Sequence, residues 1–144
     1  MKIYLKTKKN QYVSAEGGGG GAVNAKSPKA GDLEMFDLIV QDGGNPRNGS
    51  SVSFQTFDEE HYLSAAGGGG GLILAKSPKI DKWEKFTIWR VKGTGEIASG
   101  DQVHLRVYKK QYVTEVEGGE GLVALRTDPP LAPPPANPFT LEVV

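Results

Sequence analysis

Apolar and polar residues alternate along this chain in short runs, and the runs return in the same order three times. Ile3, Leu5 and Thr7 interleave with Tyr4 and Lys6, the period of a half-buried strand. Residues 12–15 (YVSA), 22–25 (AVNA) and 35–40 (MFDLIV) continue as three further strands rich in β-formers. The order then repeats with strands expected at residues 52–56, 62–65, 72–75 and 86–91. A last round is expected at 103–107, 112–114, 122–125 and 139–144. Glycine, proline and asparagine punctuate the intervals, and no stretch carries a helical period. Segments 41–51 and 92–101 read as exposed connectors. The proline-rich stretch 128–138 falls inside the third round, because the apolar run beginning at Phe139 is needed to close it.

The repetition extends to identities. Residues 11–36 and 61–86 share 15 of 26 positions at an offset of 50, and a third, diverged copy begins at Gln111. Tyr12, Tyr62 and Tyr112 keep this spacing, as do Gly21, Gly71 and Gly121. An internal repeat sets the architecture. Three four-stranded units of about 48 residues, closing on a pseudo-threefold axis, describe an all-β fold, the β-trefoil. Its six inner strands form a barrel and six more form hairpins that cap one end. Closure removes sheet edges that would otherwise pair with other chains. A three-bladed or solenoid-like array is the alternative. The predicted core repeats with the units. Val13, Leu63 and Val113 form one layer, and Val23, Ile73 and Val123 another. Phe36, Phe86 and Phe139 form a third, with Leu38, Ile88 and Leu141 beside them.

Composition narrows the function. Seventeen basic residues balance seventeen acidic ones, so no global field draws the chain to nucleic acid or acidic lipid. With no cysteine, disulfides and thiolate metal sites are excluded. No apolar run approaches the length of a transmembrane segment. The start MKIYLKTKKN lacks the apolar core of a secretory signal. A cytoplasmic protein is implied if Met1 is the native start, an extracellular one if the chain is a module of a secreted protein. Catalysis finds little support, since a glycosidase needs a carboxylate pair held across a cleft and none is indicated. His61 and His104 occupy different unit positions, and no cluster of metal ligands is evident in the sequence. No cofactor is implied.

The unit Y-[VL]-S-A-x-GGGGG-x-[VI]-x-A-K-S-P followed by [WL]-E-x-F resembles that of the fascin-like β-trefoil family. That family includes fascin- and hisactophilin-type actin-binding trefoils and bacterial β-trefoil carbohydrate-binding modules. The resemblance covers the whole chain, strongly in the first two units and weakly in the third. It implies either a non-catalytic, lectin-like module that recognises a glycan, such as a β-glucan, or a protein that binds or cross-links F-actin through lysine-rich loops. The chain has only two histidines, unlike the histidine-rich actin- and membrane-binding members.

Trp83-Glu84-Lys85-Phe86 is the most informative tetrad for a sugar site. An exposed Trp83 indole is suited to stack on the apolar face of a sugar ring, with Glu84 accepting hydrogen bonds from hydroxyls. Asp81 and Lys79 in the same loop would add polar contacts. The other reading has Trp83 covering the barrel end and Glu84 capping a backbone turn. In the first unit Glu34 and Asp32 are the counterparts, with Leu33 in place of the indole. The third unit, at Ala136-Asn137-Pro138-Phe139, lacks both indole and carboxylate. Trp89 reads as packing. The glycine runs 17–21 and 67–71 join strands rather than opening a helix, so they read as turns with positive φ and not as phosphate loops. Ser27-Pro28-Lys29 and Ser77-Pro78-Lys79 read as turn chemistry, and the loop lysines as a solvated surface.

Overall fold

The computed structural model describes residues 1–124 and 138–144. Twelve strands run in chain order: β1 (Lys2–Lys6), β2 (Tyr12–Ala15), β3 (Val23–Ser27), β4 (Phe36–Val40), β5 (Ser51–Gln55) and β6 (Tyr62–Ala65). They continue as β7 (Gly71–Ser77), β8 (Phe86–Arg90), β9 (Gln102–Arg106), β10 (Val113–Glu115), β11 (Leu122–Ala124) and β12 (Phe139–Val143). Six of them close a ring of antiparallel pairs, β1 to β4, β4 to β5, β5 to β8, β8 to β9, β9 to β12 and β12 back to β1. The hairpins β2–β3, β6–β7 and β10–β11 cap one end. The fold is a β-trefoil, as the repeat predicts. The end of the expected strand at Leu125, most of the proline-rich stretch 128–138, and Ala136 and Asn137 lie outside the described residues.

The threefold repetition is visible in the strand register. Ile3 pairs with Phe36, Val52 with Phe86 and Val103 with Phe139, and all six side chains are buried. One layer away Leu5 meets Leu141, Leu38 meets Phe54 and Ile88 meets Leu105. Period-2 alternation places these residues inside and their neighbours on the outer wall. Val13, Leu63 and Val113, on the capping hairpins, are buried, as expected. Each fully buried Leu, Ile or Phe contributes on the order of 1.5–3 kcal/mol against chain entropy.

The third unit departs from the predicted layer. Val23 and Ile73 are buried, but Leu122, at 2 % exposure, takes the core position expected for Val123, which is only partly buried. The cause is a slip in the hairpin. Ala15 pairs with Val23 and Ala65 with Ile73, whereas Glu115 pairs with Leu122. The 3-10 turn also begins one residue later, at Glu117 rather than at the positions matching Glu16 and Ala66. A one-residue slip in a strand exchanges its two faces. The 50-residue spacing of Gly21, Gly71 and Gly121 is therefore not a structural equivalence in the third unit.

Candidate functional site

The first two junctions between units are each built from three pieces. One is the glycine turn of a unit, the second is the 3-10 turn before its fourth strand, and the third is the turn after the first strand of the next unit. Gly17 to Gly20 and Gly67 to Gly70 all have positive φ, so glycine is required as the repeat suggested. Gly19 shows a second reason. A Cβ there would lie 2.4 Å from Asp58 Oδ2 and 2.6 Å from Thr56 Oγ1 of the next unit. Backbone bonds bind the junctions, Asp58 N–H to Gly18 O and Lys109 N–H to Gly68 O. The amides of the glycine turns are partly taken. Gly20 N–H donates to Ala75 O, and Gly70 N–H donates to Gln111 Oε1 at 2.6 Å.

Trp83 lies in the 3-10 turn Lys82–Glu84 and is 41 % exposed. Its indole Nε1 and the ring of Tyr108 both come within about 3.2 Å of where a Cβ on Gly68 would lie, so the two aromatics converge over that glycine. Tyr108, 54 % exposed, belongs to the following unit. Lys82 Nζ stands 5.3 Å from the Tyr108 ring centroid, a cation–π distance. A hollow of about 340 Å³ beside Trp83 is lined by Ser77, Lys79, Asp81, Lys82, Trp83 and Glu84. Lys79 and Asp81 are exposed at its rim. Asp81 Oδ1 accepts from Lys82 N–H, and Lys79 O accepts from Ser77 Oγ at 2.8 Å. The Ser-Pro-Lys segments are thus turn chemistry, with Ser27 Oγ donating to Lys29 O in the same way.

Glu84 lines this hollow only at its base, with both carboxylate oxygens engaged by the protein itself. It is 4 % exposed, with Oε1 accepting from Asp81 N–H at 2.8 Å and Oε2 accepting from Ser64 Oγ. Glu34 is its equivalent, taking Gly31 N–H at 2.9 Å and Ser14 Oγ at 2.6 Å. Both carboxylates cap a 3-10 turn and tie it to the hairpin strand of their own unit. The capping of a backbone turn, the second reading of Glu84, is therefore seen in both units, and each carboxylate oxygen already holds one donor of its own unit. Asp32 is exposed and lies next to Leu33, in the equivalent of the Lys82 position, away from the Trp83 hollow.

The first junction is a paler copy of the second. Leu33, 42 % exposed, and Phe57, 47 % exposed, converge over Gly18 as Trp83 and Tyr108 do over Gly68. Sequence reasoning missed Phe57 and Tyr108 because they come from the next unit. Their signal was an aromatic in the turn where the first unit carries Lys8. It also missed Ser14 and Ser64, although each precedes its glutamate by 20 residues in both copies.

The turn after β5 holds a cluster that the linear sequence did not reveal. Asp58, Glu60 and His61 bring one ligand atom each within 4.8 Å of one another, which corrects the expectation of no convergent metal-ligand group. Asp58 Oδ2 sits 2.7 Å from His61 Nδ1, while Oδ1 takes Thr56 Oγ1 and Glu60 N–H. Partial burial would raise the Asp58 pKa, but these bonds from Thr56, Glu60 and His61 outweigh it and hold the carboxyl below its ordinary value. The bonds organise a turn that is one residue longer than its counterparts. Trp89 is half-buried on the outer face of β8, opposite His104, and lines two grooves there.

Solved structures with this fold differ widely in sequence. The SDF2-like protein from Arabidopsis thaliana matches with a TM-score of 0.75 at 9 % identity, over 97 % of this chain and 91 % of that one. The designed threefold-symmetric protein ThreeFoil matches with a TM-score of 0.69 at 12 % identity, over 99 % of both chains. A mosquitocidal holotoxin matches with a TM-score of 0.72 at 12 % identity, over all of this chain and 17 % of the toxin. At such identities the likeness is one of fold. No curated protein matches the chain by sequence. The model of a domain of unknown function, DUF7910, matches residues 47–134, more than half of the chain, and the protein belongs to that family.

Proposed function

We propose that this protein is a non-catalytic glycan-binding β-trefoil whose main site is the junction of its second and third units. The observation that carries this reading is the convergence of exposed Trp83 and Tyr108 over Gly68, beside a shallow hollow with polar groups at its rim. Two large aromatic faces fixed on rigid turns suit the apolar face of a sugar ring, and Lys79 and Asp81 are placed to meet its hydroxyls. Glycine at position 68 lets both rings approach the backbone. The resemblance of the units to bacterial carbohydrate-binding trefoils points the same way. The first junction, with Leu33 and Phe57, offers a weaker apolar contact, so one strong site is expected rather than three equal ones.

Retention on a panel of insoluble neutral and acidic polysaccharides tests this, with Trp83→Ala and Tyr108→Ala beside the wild type. Loss of about tenfold in affinity in each variant, with unchanged thermal stability, is expected, an effect of roughly 1.4 kcal/mol. Full retention of Trp83→Ala on every polysaccharide that binds the wild type would overturn the reading. So would sedimentation with filamentous actin that is indifferent to Trp83 and accompanied by no retention on any polysaccharide.

A further inference from the structure

A groove of about 360 Å³ runs along the outer face of β8 and β9, next to the Trp83 hollow. Its charged lining residues are Lys82, Lys85, Arg106 and Lys110, and no carboxylate among the described residues lines it. Trp89 and Tyr108 supply its aromatic walls, and Lys82 is shared with the Trp83 hollow. None of the four cations forms an ion pair among the described residues. In a chain with zero net charge, a groove of one sign is a local choice.

The protein's own repetition supplies the control. Thr87 pairs with Arg106 as Asp37 pairs with Gln55 and Thr140 with Lys6, so Arg106, Gln55 and Lys6 are equivalent. By the same register Trp89, Ile39 and Glu142 are equivalent. At the junction of the third and first units the cation is neutralised, with Lys6 Nζ 3.1 Å from Glu142. At the first junction it is absent, replaced by Gln55. There Lys82 and Lys110 are matched by Asp32 and Glu59, the latter by its shared positive φ, and Asp37 pairs with the N-terminal amine. Among the described residues, only the second junction leaves an arginine with no counter-charge. Arg106 lies over the Tyr112 ring at 5.7 Å, and its buried Nε has no acceptor. A partly desolvated cation without a partner is costly, and an anion in the groove would offset that cost.

We propose that this groove receives the carboxylate or sulfate groups of an acidic polysaccharide whose sugar ring rests on Trp83 and Tyr108. The inference rests on the glycan reading and gives it a substrate class. Arg106 provides a planar fork suited to an oxyanion, and Lys82, Lys85 and Lys110 surround it with mobile charge. Nucleic acid is less suited, because the cations surround one recess and do not form a stripe that follows a backbone.

The test compares dextran sulfate and polygalacturonate with unmodified dextran by affinity electrophoresis, at low and high salt. The variant is Lys82→Asp, Arg106→Gln, Lys110→Glu combined. Each replacement is the residue that this chain already carries at an equivalent position, so the fold is expected to tolerate them. The wild type should bind the acidic polymers at least about tenfold tighter than dextran and lose that margin at high salt, where exposed charges are screened. The triple variant should lose the margin while melting as the wild type does. Equal binding of dextran and the acidic polymers, dependent on Trp83, would overturn the anionic assignment and leave the glycan reading intact. Binding of acidic polymers that duplex DNA displaces equally well, and that Trp83→Ala leaves unchanged, would overturn both.

Discussion

Replacing Glu84 with alanine separates the two roles a carboxylate can play beside Trp83. The side chain is 4 % exposed and holds two donors, Asp81 N–H and Ser64 Oγ. Removing it leaves both without an acceptor, and a buried donor left unsatisfied costs about 1–3 kcal/mol. Ser64 is only partly buried and its hydroxyl can rotate toward water, so its share falls at the low end. The Asp81 amide cannot turn away without undoing the 3-10 turn. The sum is about 2–4 kcal/mol, which lowers Tm by roughly 6–12 °C in a domain of this size. Glu84→Gln keeps an oxygen for the Asp81 amide and presents an NH2 group that Ser64 Oγ can accept from, so about 1 kcal/mol is expected. Urea and thermal unfolding measure both. The reasoning is refuted if Glu84→Ala unfolds like the wild type yet no longer binds polysaccharide. That result would make Glu84 a ligand group after all.

Three further outcomes follow from the geometry. Gly19→Ala is expected to cost several times more stability than Gly17→Ala in urea melts. Gly17 is in the left-handed region, where a side chain costs about 1–2 kcal/mol, whereas Gly19, at φ 138° and ψ 166°, holds a conformation essentially restricted to glycine and would also drive a methyl into Asp58. Leu122→Ala should destabilise by about 2–5 kcal/mol and Val123→Ala by well under half of that, reversing the order that the 50-residue spacing suggests. His104 is buried against Tyr112, and desolvation lowers its pKa from the usual 6.5. The unfolded chain therefore binds the proton first, so stability present above pH 6.5 is lost as pH falls below it toward the folded value. His104→Gln should flatten that part of the stability profile, and an unchanged slope would show that another group is responsible.

The barrel was legible in the chain because a period of two and a period of about 50 are both written in apolar residues. Ile3, Phe36 and their counterparts need only alternate to find the inside. The turns at 17–20 and 67–70 were legible because positive φ excludes nearly every other residue. Trp83 stood out as a large apolar side chain in a loop, and it is indeed exposed.

Other features depended on what the fold brings together. Whether Glu84 met solvent or the Asp81 amide depended on which way a 3-10 turn faced, and local sequence is compatible with both. Leu122 displaced Val123 because the third hairpin slipped by one residue, a register in which β11 also pairs with β7. Tyr108 joined Trp83 across a boundary between units, at a separation no local pattern records. The same holds for charge. The sequence alone determined that seventeen cations meet seventeen anions, and that three similar units would close one barrel. Only the tertiary structure decided that Lys6 would find Glu142 while Arg106 would find no carboxylate among the described residues, because pairing depends on strand register and Coulomb energy on distance.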